Sequence, residues 1–185
     1  MIRRTVLSLM TVGLCAALVG ITGCDSSSSS GGGDSTATGG LTGTWTINRA
    51  VVTAPQVGDN SLLLELAGAD VSGDTLTANS SFLRLFGIAV TLIIDGDGTW
   101  ALQVTVPSIP GFVSSGTYTA EGTYTTAGDR MTLTFTTVPG AAGDLVSVGD
   151  TFTIGYSQTG NTLDLSASSA DIGQPGIAIA FNFTR

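Results

Sequence analysis

Ile177-Ala178-Ile179-Ala180-Phe181-Asn182-Phe183-Thr184 puts every large apolar side chain on one parity and small or polar groups on the other. Successive side chains of an extended strand point to opposite faces, so a period of two builds one greasy face and one wettable face. The pattern recurs upstream. Phe152, Ile154 and Tyr156 alternate with Thr151, Thr153 and Gly155; Met131, Leu133 and Phe135 alternate with Thr132, Thr134 and Thr136. Trp100, Leu102, Val104 and Val106 alternate with Ala101, Gln103 and Thr105. The polar parity is largely Thr, a residue that favours strands and tolerates water.

Turn residues punctuate these runs. Asp95-Gly96-Asp97-Gly98, Ala127-Gly128-Asp129 and Thr159-Gly160-Asn161 each separate two alternating segments, as tight hairpins require. Strands are predicted at 43–54, 70–77, 88–95, 99–106, 116–126, 130–137, 150–157 and 161–167, with a ninth at 176–184. Residues 61–68 read as a short helix. Consecutive hairpins make an antiparallel up-and-down meander. Such a meander either leaves two open edges or closes on itself, and closure removes the edges. The predicted fold is therefore all-β, a meander closing into a roughly eight-stranded barrel over 41–185.

Gly43-Thr44-Trp45, Gly98-Thr99-Trp100, Gly116-Thr117-Tyr118 and Gly122-Thr123-Tyr124 share a Gly-Thr-aromatic order. The glycine leaves a turn, the threonine starts a strand and the aromatic plugs a barrel end. Leu41-Thr42-Gly43-Thr44-Trp45 resembles the Gly-x-Trp signature of lipocalins and of bacterial lipocalin-like domains. That resemblance implies an eight-stranded barrel, commonly with room for an apolar ligand, and an Arg on the last strand stacked on the Trp. Arg185 is the residue here that matches. In a closed meander the first and last strands pair antiparallel, which brings Trp45 towards Phe183 and Arg185.

The first 23 residues read as a secretory signal: Arg3 and Arg4, then an apolar run from Val6 to Ile21. About 16 apolar residues fall short of the roughly 20 that a membrane span needs. Ile21-Thr22-Gly23-Cys24 resembles a bacterial lipobox. The resemblance implies cleavage before Cys24 and acylation of its thiol, with a diacylglycerol and a fatty acyl group such as palmitate. Asp25 resembles an inner-membrane retention signal of some bacteria. Residues 24–40 are Ser/Gly-rich and bury nothing, so they form a disordered tether with a span of roughly 20–24 Å. Cys15 leaves with the signal, so the folded part has no disulfide.

The 185 residues include no His and no Lys. Imidazole general bases, Ser-His-Asp triads, His-ligated zinc, Schiff bases and the P-loop lysine are thereby excluded. Cleavage removes Arg3 and Arg4, leaving four Arg against 14 Asp plus Glu. So acidic a surface repels nucleic acid and anionic headgroups, and no nucleic-acid partner is expected. Asp95-Gly96-Asp97-Gly98-Thr99 resembles a fragment of a Ca²⁺ loop without its closing Glu and reads as a plain turn. No catalytic residue, metal site or cofactor is assigned, and no enzyme activity is expected. Phe82-Leu83-Arg84-Leu85-Phe86 and Ser61-Leu62-Leu63-Leu64-Glu65-Leu66 are apolar enough to need a cover, as core, lid or entrance.

The expected protein is a lipid-anchored cell-envelope lipoprotein whose barrel binds a small hydrophobic ligand. Trp45, Trp100, Tyr124, Phe135 and Tyr156 are the candidate lining residues. Arg49 shares the parity of Trp45 and Ile47, so it either meets a ligand carboxylate or passes a bulge and reaches water. The alternative is a structural or protein-interaction lipoprotein with a side-chain-filled barrel or an immunoglobulin-like sandwich.

Overall fold

A computed structural model describes residues 40–59, 65, 69–108, 115–140, 146–172 and 175–185. The signal segment, Cys24 and all of the tether but Gly40 lie outside these residues, as does the 61–68 segment apart from the exposed Glu65.

Ten strands form one antiparallel sheet: β1 (Gly43–Thr53), β2 (Asp70–Ser72), β3 (Thr75–Asn79), β4 (Ala89–Ile94), β5 (Thr99–Val106), β6 (Gly116–Ala127), β7 (Arg130–Thr137), β8 (Thr151–Thr159), β9 (Thr162–Ala167) and β10 (Ala178–Thr184). From β4 to β10 each strand pairs with its successor, and β10 returns to pair with β1 from Thr46↔Thr184 to Thr53↔Ala178. With β1 also paired to β4, eight strands close a cylinder. Closure excludes the two-layer sandwich, because no strand of the cylinder is left with an unpaired edge along its whole length.

The segment expected as a single strand at 70–77 is instead a small hairpin, β2–β3, turning at Gly73-Asp74. It is not among the eight cylinder strands, but Ala78 of β3 is buried in the same core. At 11 residues β1 is longer than the six-residue β4, which meets it only over Gly43–Thr46. Beyond that point the free edge of β1 is taken by β3, from Arg49↔Asn79 to Thr53↔Thr75.

Among the described residues, three short helices lie in the connections: α1 (Pro55–Asp59), α2 (Ser80–Leu85) and α3 (Ser169–Ile172). Helix α2 takes up the Phe82-Leu83-Arg84-Leu85-Phe86 stretch. Its N-cap is Asn79, whose Oδ1 accepts from the Phe82 amide at 2.9 Å. Phe82 and Leu83 are buried, and Phe86 stacks on Phe82 at 4.8 Å between centroids.

The up-and-down order sorts the connections. The tight turns 95–98, 128–129 and 160–161 share one end of the barrel with Leu41 and Arg185. The longer connections 54–88, 107–115, 138–150 and 168–177 share the other. The first is here called the closed end and the second the open end.

Candidate functional site

At the closed end the Gly-Thr-Trp signature becomes a plug. Trp45 is wholly buried, and its indole donates to the Leu41 carbonyl at 2.8 Å. That bond satisfies the one polar atom the ring carries inside. Arg185 lies over the same ring, its guanidinium carbon 4.6 Å from the centroid, and its Nη1 donates to the Thr42 carbonyl at 2.9 Å. The stacked pair implied by the family resemblance is therefore present. Gly43 has φ +147°, and a β-carbon there would stand 3.3 Å from Arg185 Nη1. The glycine thus serves both the backbone turn and the close approach of the guanidinium.

Trp100 and Tyr124 continue the plug. Trp100 Nε1 donates to the Thr123 carbonyl at 3.0 Å, and the Tyr124 hydroxyl donates to the Asp95 carbonyl at 3.2 Å. Burial pushes the Tyr124 hydroxyl above its ordinary range, with Asp97 and Asp95 adding to the effect, so it stays a donor. Phe135 meets Trp100 edge-on at 5.0 Å and Phe152 edge-on at 5.4 Å. At Gly122 the β6–β7 ladder shifts register. A β-carbon there would collide with the Thr134 carbonyl oxygen and lie 2.8 Å from Trp100 Nε1. Only glycine admits the bulge and the indole together.

On the β5–β8 side of the wall the picture changes. Leu102, Ala120, Leu133, Phe152, Ile154 and Tyr156 have the inward parity of Trp100, Gly122 and Met131, yet they are only half-buried. Solvent therefore reaches inward-facing apolar side chains on β5 to β8. Their signal was present in the sequence, since each sits on the apolar parity of an alternating run.

Five of the six candidate lining residues share the interior: Trp45, Trp100, Tyr124 and Phe135 buried, Tyr156 half-buried. Arg49 does not join them. The β1–β10 register shifts between Ile47 and Arg49, so Ala50 takes the inward position opposite Phe181 and Arg49 is exposed. One extra residue reverses the parity of everything after it. Extrapolating the alternation from Trp45 and Ile47 through Arg49 thus fails at the bulge.

The Asp95–Thr99 turn is an ordinary capped hairpin. Asp97 Oδ1 accepts from the Thr99 hydroxyl at 2.6 Å and from the Thr99 amide at 3.0 Å, which holds its carboxyl below the usual range. Among the described residues no group of three acidic or thiol side chains is placed to hold a metal.

No family model matches the chain, and no curated protein matches it. Among solved structures it is similar to a lipocalin-like protein from Bacteroides uniformis, at 13% identity and TM-score 0.44, over 80% of this chain and 99% of that one. It is also similar to a mutant of the fluorescent protein UnaG, at 12% identity and TM-score 0.32, over 78% of this chain and 95% of that one. The barrel itself rests on the β1–β10 and β1–β4 pairings: the chain folds as a closed, eight-stranded antiparallel cylinder, as the Gly43-Thr44-Trp45 resemblance implies.

Proposed function

We propose that this protein is a non-enzymatic, lipid-anchored envelope protein whose barrel binds a small hydrophobic molecule through its open end. The observation that carries the reading is the half-burial of inward-facing Leu102, Ala120, Leu133, Phe152, Ile154 and Tyr156, against the sealed plug around Trp45. An apolar ligand on these side chains removes their remaining surface from water, at about 25 cal/mol per Å². The ordered β-ladder behind them keeps the reorganisation cost low. Among the described residues, no inward-facing position of the eight barrel strands carries a carboxylate.

The anchor rests on Ile21-Thr22-Gly23-Cys24 and on the Ser/Gly segment that follows. Two or three acyl chains, at about 0.8 kcal/mol per buried CH₂, hold a protein stably on a bilayer.

Two measurements test the two halves. Metabolic labelling with a radioactive fatty acid, in a bacterial host with a lipoprotein pathway, should label the wild-type chain and leave Cys24→Ser unlabelled. Equal labelling of both, or of neither, removes the anchor. Native mass spectrometry of the Cys24→Ser chain should show an adduct of a few hundred daltons or uptake of an added apolar dye. A spectrum of bare protein that takes up no dye favours a barrel filled by its own side chains.

A further inference from the structure

The four arginines of the folded part bear on what the lumen accepts. With no Lys and no His in the sequence, Arg49, Arg84, Arg130 and Arg185 are all the cationic side chains after residue 40. Each is placed. Arg49 is turned outward by the β1 bulge. Arg84 is exposed on α2, on the open-end connection. Arg130 lies on the outward parity of β7, where it pairs with Asp171 and donates to the Thr153 carbonyl at 2.9 Å. Arg185 is committed to Trp45 and Thr42 at the closed end. None faces the lumen, so an anion carried inside would have no counter-charge.

An uncompensated carboxylate in such a lumen must either give up most of its hydration or take up a proton. A hydroxyl or carbonyl loses far less and asks for one partner. Tyr156 supplies a phenolic group on the inward parity of β8, opposite Leu165 of β9, in the half-buried part of the wall. The amide of Gln158, also on that parity, is engaged with the Gly160 carbonyl at 2.6 Å, and the Tyr124 hydroxyl with Asp95.

Resting on the binding reading above, we infer that the lumen selects electrically neutral ligands, apolar molecules bearing at most a hydroxyl or carbonyl, and discriminates against fatty-acid anions. The β1 bulge is the specificity device. It removes from the interior the one strand cation whose sequence parity pointed there.

The test uses the full chain with Cys24→Ser and a neutral solvatochromic dye, Nile red, as reporter. Dodecanol and dodecanoate, which share a chain length and differ in headgroup charge, compete for the dye. At about pH 8 the alcohol should displace it at a concentration about tenfold lower or more. The gap should close as pH falls to about 4 and the acid becomes neutral. Val104→Arg, which places a cation on the inward parity, should reverse the preference; the pH profile of the parent chain makes the same test without relying on that variant's folding. Equal or tighter binding of dodecanoate at about pH 8 overturns the inference, and its loss in Arg84→Ala would then place the headgroup at the rim. No binding of Nile red or of either amphiphile overturns the ligand reading itself.

Discussion

Two sides of the barrel are built from the same alternating strands, yet they bury their inward side chains differently: on β4, β9 and β10 the inward residues are buried, whereas many on β5 to β8 are only half-buried. At the closed end Trp45, Ile94, Met131 and Leu163 are almost wholly removed from water, and the indoles of Trp45 and Trp100 each donate to a carbonyl. On the β5–β8 side the same parity carries Leu102, Leu133, Phe152, Ile154 and Tyr156 at half-burial, although Ile154 pairs with Met131 and the Tyr156 amide donates to Asp129 of a closed-end turn. Composition does not explain the contrast, since both halves are aromatic and aliphatic. What lies against each side does: β3 pairs along β1, and its Ala78, with Phe82 and Leu83 of α2, is buried in the same core as β1 and β10. The two largest exposed apolar side chains among the described residues, Leu85 and Val148, both belong to the long connections. One side of the wall is sealed, and the β5–β8 side retains apolar surface that a ligand would cover.

Substitutions can break this contrast, and their effects should fall in order. Trp45→Ala should cost about 3–5 kcal/mol in urea unfolding, as for other buried aromatic truncations, because it leaves a cavity and frees the Leu41 carbonyl and Arg185 together. Gly122→Ala should cost about 1–3 kcal/mol, since its β-carbon meets backbone and not a flexible side chain. Leu102→Ala, at a half-buried lumen position, should cost less than Trp45→Ala, about 1–2 kcal/mol, while Nile red uptake persists. A larger loss at Leu102 than at Trp45 would reverse the assignment of the sealed and the half-buried wall.

Two smaller effects sharpen the picture. Asp171 on α3 is held at about 2, chiefly by the Arg130 hydrogen bond and further by Ser168, against the desolvation that opposes it. Its folded value lies below the ordinary 3.8, so the stabilisation is whole above that range and is lost as pH falls towards 2. Asp171→Asn should therefore lower thermal stability by less than about 1 kcal/mol at neutral pH, and the difference should vanish in strong acid. Leu85→Ser and Val148→Ser should change unfolding by no more than about 0.5 kcal/mol, because their side chains already face water.

Much of this was legible in order along the chain. The apolar parity of Ile177 to Phe183 and of Trp100 to Val106 is the inward parity of β10 and β5, because alternation is a property of a single strand and needs no partner. Helix α2 carried a readable signal that period-two reading passes over: Asn79 as cap, then Phe82, Leu83 and Phe86 at helical spacing. The β2–β3 hairpin was hidden because Gly73-Asp74 interrupts a stretch short enough to pass for one strand. Of the two readings of Arg49, the bulge is the one the structure takes; parity alone did not choose it, because a bulge is set by register against β10, which is far away in sequence.

The sequence alone determined that the chain makes short amphipathic strands joined by tight turns, that Trp45 heads the first, and that only four cations are available to the folded part. These are local or compositional properties, fixed before any two strands meet. Which end closes, which edge the β2–β3 hairpin covers and which way Arg49 faces were decided by tertiary structure. Each depends on how one ladder slides against another, and a slip of one residue there exchanges inside for outside.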